Sequence, residues 1–70
     1  MSEWRTTKAK LVLRALLRNG WQIISQKGSH VKLHHPKYDN FMFGFHDNEE
    51  LGHRMLTRIA KRTGLTPDDL

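Results

Sequence analysis

A chain of 70 residues without cysteine has no disulfides and no thiolate chemistry, and its length suits one domain (residues 1–70) with an open site rather than a deep cofactor cavity. No apolar run is long enough to cross a bilayer, and the N-terminus lacks signal-peptide features, so we expect a soluble, cytoplasmic protein. The net charge is +5, and residues 4–38 hold eight of the twelve basic residues and no acid, which favours a phosphate-bearing or acidic partner.

The first predicted element is an amphipathic helix that Thr6 or Thr7 caps and that Asn19-Gly20 ends, because glycine suits the left-handed position after a helix. Basic residues follow each other at i, i+4 on one stripe, and apolar residues recur beside them at helical spacing. The basic stripe consists of Lys10, Arg14 and Arg18, and the apolar residues are Ala9, Val12, Leu13, Leu16 and Leu17.

Two strands at about residues 21–25 and 29–35 are predicted to form a hairpin. A three-residue loop over 26–28, with glycine in the left-handed conformation, is the preferred connection because it places four apolar side chains on one face. A two-residue loop would pair Ile23 with Lys32 instead. The preferred register sets Trp21 and Ile23 opposite Leu33 and Val31.

A third strand is predicted at residues 41–46, after a turn over 36–40, because phenylalanines alternate with smaller or polar residues. Two registers against the second strand match the apolar residues. One sets His30 directly opposite His46, with Cβ atoms about 4.5–5.5 Å apart. The other, shifted by two residues, sets Gly44 opposite His30. Both leave Gly44 on the open face, where its missing side chain makes room for a ligand.

A second helix over residues 52–63 ends at Gly64, and a short helical turn over 66–69 follows it. The element order is then α-β-β-β-α. We predict an α+β two-layer fold in which both helices cover one face of a three-stranded antiparallel sheet.

The open face of this sheet is the predicted site, because strand alternation directs His30, Lys32 and His34 towards it. RNA carries its own nucleophile in the 2′-hydroxyl group, so its cleavage needs a proton acceptor, a proton donor and positive charge at the phosphate. Histidine suits proton transfer near neutral pH, and lysine suits the charge. His34 lies about 13 Å along the strand from His30, too far to share a small site. A zinc site would need a third converging ligand beside His30 and His46, and none is evident.

Three groups of residues carry a resemblance to the HicA toxin family. They are Asn19-Gly20-Trp21, the run from Gln26 through Gly28-Ser29-His30 with His35-Pro36, and the run from Phe45-His46 to Glu50-Leu51. The family has a Gly-Trp pair after its first helix and a strand that opens with Gly-Ser-His. The likeness extends over about residues 9–70.

The resemblance implies a fold like that of double-stranded-RNA-binding domains and metal-independent cleavage of mRNA. It makes His30 the catalytic residue, a HicB-like antitoxin the protein partner, and growth arrest the outcome. Two segments depart from the pattern: Phe-Gly-Phe-His stands where Val-Pro-Val-His is common, and the second helix starts with Leu-Gly-His-Arg. These departures leave open a member that has lost activity.

Together these arguments assign His30 and His46 as catalytic residues and the segment around Gly28 as RNA-binding, without metal or cofactor. The RNA-binding residues are Lys27, Gly28, Ser29 and Lys32. Two alternatives are a catalytically inactive module of the same fold that binds RNA or an antitoxin, and a domain whose basic face meets an acidic protein.

Overall fold

The computed structural model describes residues 3–70. This part of the chain contains two α-helices and five short strands. In chain order they are β1 (Thr7–Lys8), α1 (Ala9–Arg18), β2 (Gln22–Lys27), β3 (His30–His35), β4 (Tyr38–Gly44), β5 (Glu50–Leu51) and α2 (His53–Thr63), followed by a 3₁₀ turn (Pro67–Asp69).

The main sheet is antiparallel and contains three of the strands, in the order β2-β3-β4. Val31, Leu33 and Phe43 point from this sheet into the core, where they meet buried residues of both helices. The predicted α+β fold, with both helices on one face, is confirmed. The helix residues of the core are Ala9, Val12, Ala15 and Leu16 of α1 and Leu56 and Ile59 of α2.

A second, two-stranded sheet joins β1 to β5, with Thr7 opposite Leu51 and Lys8 opposite Glu50. The sequence did not predict it, because strands of two residues have no periodicity to detect. It also changes how α1 begins. Lys8 occupies the N-cap position, so the prediction that Thr6 or Thr7 caps the helix is wrong.

Backbone carbonyl groups stabilise the start of α1 in place of a side chain. The N–H of Ala9 donates to the carbonyl of Glu49 at 2.8 Å, and the N–H of Lys10 donates to that of Asp47 at 3.0 Å. These bonds satisfy N–H groups that have no partner within a helix. The segment before β5 is thereby held against the start of the first helix.

The hairpin turn between β2 and β3 is Gly28-Ser29, so the predicted three-residue loop over 26–28 is wrong. Gly28 has φ +59° while Ser29 keeps a negative φ, as in a type II′ turn with glycine first. The turn pairs Lys27 with His30, and a bulge between Ile23 and Ser25 shifts the register so that Ile23 faces Leu33. Ile23 is nevertheless 44% exposed, because β2 is an edge strand that the helices do not cover.

The register between β3 and β4 is the one that sets Gly44 opposite His30. The register that placed His46 opposite His30 is therefore wrong. The reason is the turn: it is confined to Pro36 and Lys37, so β4 starts at Tyr38 and Phe43 pairs with Val31. Phe45 lies beyond the strand and packs edge-to-face on Phe43, with ring centroids 5.0 Å apart.

The C-terminal elements follow the sequence prediction closely. Gly64 has φ +75° and its N–H donates to the carbonyl of Ala60 at 2.8 Å, which ends α2. Leu65 then folds back into the core. Asp69 accepts hydrogen bonds from the N–H and the hydroxyl group of Thr66 at 2.7 and 3.1 Å. The backbone bond is the main reason that the pKa of the Asp69 carboxyl lies below its ordinary value.

Candidate active site on the open sheet face

Cross-strand pairing sets the composition of the open face. Lys27, His30 and Gly44 form one row across the three strands, since His30 pairs with both of the others. The next row contains Lys32, with Ser25 on one side and Met42 on the other. The side chains of both rows are exposed. This surface therefore combines histidine with lysine and has no acidic residue in these rows.

The ring of His30 lies directly over Gly44. A Cβ atom built on Gly44 would be 3.1 Å from His30 Cδ2 and 3.4 Å from Nε2, closer than side chains normally approach. A larger residue at this position would push the imidazole aside. The glycine that the sequence placed on the open face thus makes room for the histidine ring rather than for a ligand directly.

His30 is exposed, and neither ring nitrogen has a hydrogen-bond partner among residues 3–70. Both nitrogens are therefore free to exchange a proton with a bound molecule. Lys27 is directly opposite, with a Cβ separation of about 4.5–5.5 Å, and Lys32 is about 6.6 Å along β3. Two flexible ammonium groups can thus reach a phosphate held at His30.

His46 lies outside the row of His30. It follows β4, and its backbone N–H donates to Glu49 Oε1 at 3.3 Å. Its side chain is exposed and borders a shallow groove on the helix side of the sheet, together with Gly28 and Ser29 of the hairpin turn. The structure therefore brings Lys27, His30 and Lys32 together on one face and places His46 around the end of the sheet.

Two other histidines of β3 have partners. His34 Nδ1 and Asn40 Oδ1 are 2.9 Å apart on the open face. His35 Nδ1 accepts a hydrogen bond from the N–H of Lys37 at 3.0 Å, so Nε2 carries the proton and donates to the carbonyl of Asn19 at 3.1 Å. His35 is half-buried, with its ring against Trp21 at a centroid distance of 5.2 Å. Strand alternation predicts that His35 faces inward or lies at the end of its strand, which agrees with its half-buried position. Its bond to Asn19 joins segments that are distant in the sequence, so periodicity could not predict it.

No group of three His, Asp or Glu side chains within the described part of the chain comes close enough together to hold a metal ion. Neither helix of residues 3–70 has the length and apolar character needed to cross a bilayer. The fold and this face define a small α+β protein with an exposed histidine between two lysines, suited to an anionic ligand.

Comparison with protein families supplies the identification. The model of the family described as "HicA toxin of bacterial toxin-antitoxin" matches residues 9–65. Because the match covers well over half of the chain, the chain belongs to the HicA toxin family, and the resemblance noted in the sequence is confirmed. No curated protein matches the chain, and no solved structure matches it. Membership of this family implies the toxin of a toxin-antitoxin pair, with a HicB-type antitoxin as partner and RNA as the general substrate.

Proposed function

We propose that this member of the HicA toxin family is an endoribonuclease that cleaves mRNA without a metal ion, with His30 as the catalytic residue. The observation that carries the proposal is the placement of His30: its ring lies over Gly44 on an exposed basic face, with both nitrogens unpartnered among residues 3–70. His35, which stabilises the fold, differs in having a partner for each ring nitrogen.

The chemistry follows from what this face offers. His30 accepts the proton of a 2′-hydroxyl group as its oxygen attacks the neighbouring phosphorus, or it donates a proton to the departing 5′-oxygen. The new O2′–P bond and the broken P–O5′ bond leave a 2′,3′-cyclic phosphate on one fragment and a 5′-hydroxyl group on the other. Lys27 and Lys32 stabilise the added negative charge on the phosphate.

A second proton-transfer group is needed, and His46 is our candidate. RNA that crosses the Gly28-Ser29 turn from the open face enters the groove that His46 borders. The hydroxyl group of Ser29 and the backbone N–H groups of the turn can donate to phosphate oxygens on that path. Gly28 and Ser29 are proposed as RNA-binding residues on this ground.

The test compares His30→Ala with His34→Ala in cleavage of a messenger RNA by purified protein. Both residues are exposed on the same face of β3, so the two variants remove the same side chain from the same surface, and they differ in that His34 has Asn40 as a partner. We expect His30→Ala to lower the rate by about 10²–10⁴-fold and His34→Ala to leave it within about threefold. Undiminished cleavage by His30→Ala would refute the assignment.

A non-catalytic module that binds RNA or antitoxin is the second candidate function. One observation favours it: no group among residues 3–70 holds the His30 ring by a hydrogen bond, whereas catalytic bases are commonly oriented by a third group. This alternative predicts that both wild-type protein and His30→Ala retain RNA in a salt-sensitive manner and that neither cleaves it.

A further inference from the structure

The outer face of α2 is strongly basic. The helix contains no acidic residue, and its three arginines, all exposed, recur at i, i+4, about 6 Å apart along the axis. We call Arg54, Arg58 and Arg62 the arginine stripe. The buried residues of α2 lie on the opposite side of the helix, so the stripe points away from the sheet. A fourth exposed cation, Lys61, lies beside it.

Helix stability does not account for this arrangement. Arg54 is the second residue of α2, where the positive end of the helix dipole favours an acidic side chain. Arginines four residues apart repel each other, whereas an acid at one of these positions would attract its neighbour. Lys61 and Arg62 lie in the last turn, where cations are favoured. Arg54 and Arg58 therefore have no structural advantage over an acid or a neutral residue.

The basic surface continues beyond the helix. Lys37, in the turn between β3 and β4, shares a groove with Lys61 and Arg62 at the C-terminal end of α2. One carboxylate, that of Asp39, lines the same groove. The surface as a whole thus retains a large excess of positive charge.

The composition of this surface distinguishes the kind of partner. Protein interfaces have an apolar centre, whereas nucleic-acid interfaces are polar and strongly positive. Among residues 3–70, α2 contains none of the large, exposed hydrophobic residues, and the adjoining groove is lined by one of them, Tyr38. Arginine is also the residue whose planar fork of donors fits phosphate oxygens best.

We propose that the arginine stripe, with Lys61 and Lys37, binds the phosphate backbone of RNA as a second surface, separate from the candidate active site. The inference rests on the proposed function in taking RNA as the substrate. The stripe lies on the outer side of the helix layer and His30 on the open side of the sheet, so the sheet and the helix layer lie between them. A short RNA held at His30 does not reach the stripe, so the second surface contributes only when the RNA is long or folded back.

The experiment measures RNA binding in the His30→Ala background, so that cleavage does not interfere. The variant Arg54→Gln/Arg58→Gln/Arg62→Gln keeps helix-forming side chains and removes three charges. We expect its affinity for a long single-stranded RNA to fall at least about tenfold, and the slope of log affinity against log salt to shrink by about 2. Affinity for an oligonucleotide just long enough to cover the open sheet face should not change.

The matched control removes three positive charges from another part of the chain: Arg5→Gln/Lys10→Gln/Arg14→Gln. It should weaken binding to long RNA by much less than the stripe variant. An equal loss in this control would show that only net charge matters and would overturn the proposal. Arg54→Lys/Arg58→Lys/Arg62→Lys keeps the charge but loses the planar donors, so it should bind long RNA more tightly than the triple glutamine variant and less tightly than the parent. Should the triple glutamine variant unfold, Arg54→Gln and Arg58→Gln are measured singly.

Failure of this inference is distinguishable from failure of the proposed function. If wild-type protein cleaves RNA but the stripe variant binds long RNA normally, the second surface is refuted and the ribonuclease stands. If the stripe variant no longer binds long RNA but wild-type protein never cleaves RNA, the second binding surface is supported and the proposed ribonuclease activity is refuted. If the stripe variant still binds RNA but no longer binds an acidic antitoxin, the surface belongs to a protein partner and the proposal is contradicted.

Discussion

Two histidines of β3 stand at opposite ends of the same strand in opposite surroundings. His30 is exposed, has lysines beside it and makes no hydrogen bond among residues 3–70. His35 is half-buried, bonds through both ring nitrogens and packs against Trp21 and Tyr38. The difference teaches that residue type alone does not distinguish a histidine whose ring nitrogens are free from one that stabilises the fold; the side of the strand and the partners of the ring nitrogens do. It predicts that changes around His30 affect activity and that changes around His35 affect stability.

The largest effect of a neighbouring substitution is expected at Gly44. Gly44→Val would push the His30 ring out of place, because even a Cβ atom there would lie 3.1 Å from it. A displacement of about 1 Å at a reacting group costs about 10²-fold in rate, and we expect a loss of this size in RNA cleavage. Met42→Val, at the exposed position next along the same face of β4, is the control and should retain most activity. Equal activity of the two variants would show that the position of the His30 ring does not matter.

His35→Ala should unfold more easily than wild type while remaining active below its melting temperature. It leaves the carbonyl of Asn19 and the N–H of Lys37 without their partner and opens space beside Trp21. We expect a loss of about 2 kcal/mol in the free energy of unfolding, measured by urea denaturation. His30→Ala, its counterpart on the open face, should change that free energy by less than about 0.5 kcal/mol. A larger loss of unfolding free energy in His30→Ala than in His35→Ala would contradict the distinction between the two histidines.

Removing the lysine charges beside His30 should have a smaller effect than moving its ring. Lys27→Gln and Lys32→Gln each remove one flexible cation from an exposed surface. We expect kcat/KM for RNA to fall by about three- to tenfold in each variant, with a weaker dependence on salt. Lys8→Gln, which lies in β1 outside this face, is the control. A similar loss in all three variants would point to net charge rather than to the site.

The smallest effect is expected at Asp69, which ties the C-terminal turn to the end of α1. Arg18 donates to its backbone carbonyl at 2.6 Å and Asn19 to its carboxylate at 3.1 Å. Hydrogen bonds, first that from the Thr66 N–H, keep the pKa of the Asp69 carboxyl below its ordinary value of about 3.9. The stabilisation is therefore complete well above that pH and is lost as pH falls through the lowered pKa of the folded protein.

Asp69→Asn should accordingly lower the melting temperature slightly at pH 7, by an amount that corresponds to about 0.5–1 kcal/mol. The difference from wild type should shrink in acid, and cleavage at neutral pH should not change. A difference that grew as the pH fell below about 4 would show that the carboxylate does not stabilise the fold.

The sequence predicted the order of the main elements because their ends carry strong local signals. Glycines at 20 and 64 adopt the positive φ values expected after a helix. Alternation along the second and third strands correctly directed Val31 and Phe43 into the core and His30 outward. Those signals depend on neighbours along the chain, which is why they could be found without a structure.

Pairing between segments was predicted less well. Both registers for β3 and β4 matched apolar residues, and the choice depended on whether Tyr38, Asp39 and Asn40 join the strand. The bulge near Ile24 has no counterpart in simple alternation. The predicted loop over 26–28 therefore has one residue too many and begins two positions before the observed turn at Gly28-Ser29. The candidate site in the structure therefore differs from the predicted one: Lys27 is the direct neighbour of His30, and His46 is not.

The most direct test of the central claim is a single-turnover cleavage measurement on an RNA in buffer containing EDTA, with wild-type protein and His30→Ala side by side. Our account predicts that wild-type protein cleaves under these conditions and leaves fragments that end in a 2′,3′-cyclic phosphate, while His30→Ala is slower by about 10²-fold or more. Cleavage at the wild-type rate by His30→Ala, or no cleavage by wild-type protein until a divalent metal is added, would contradict it.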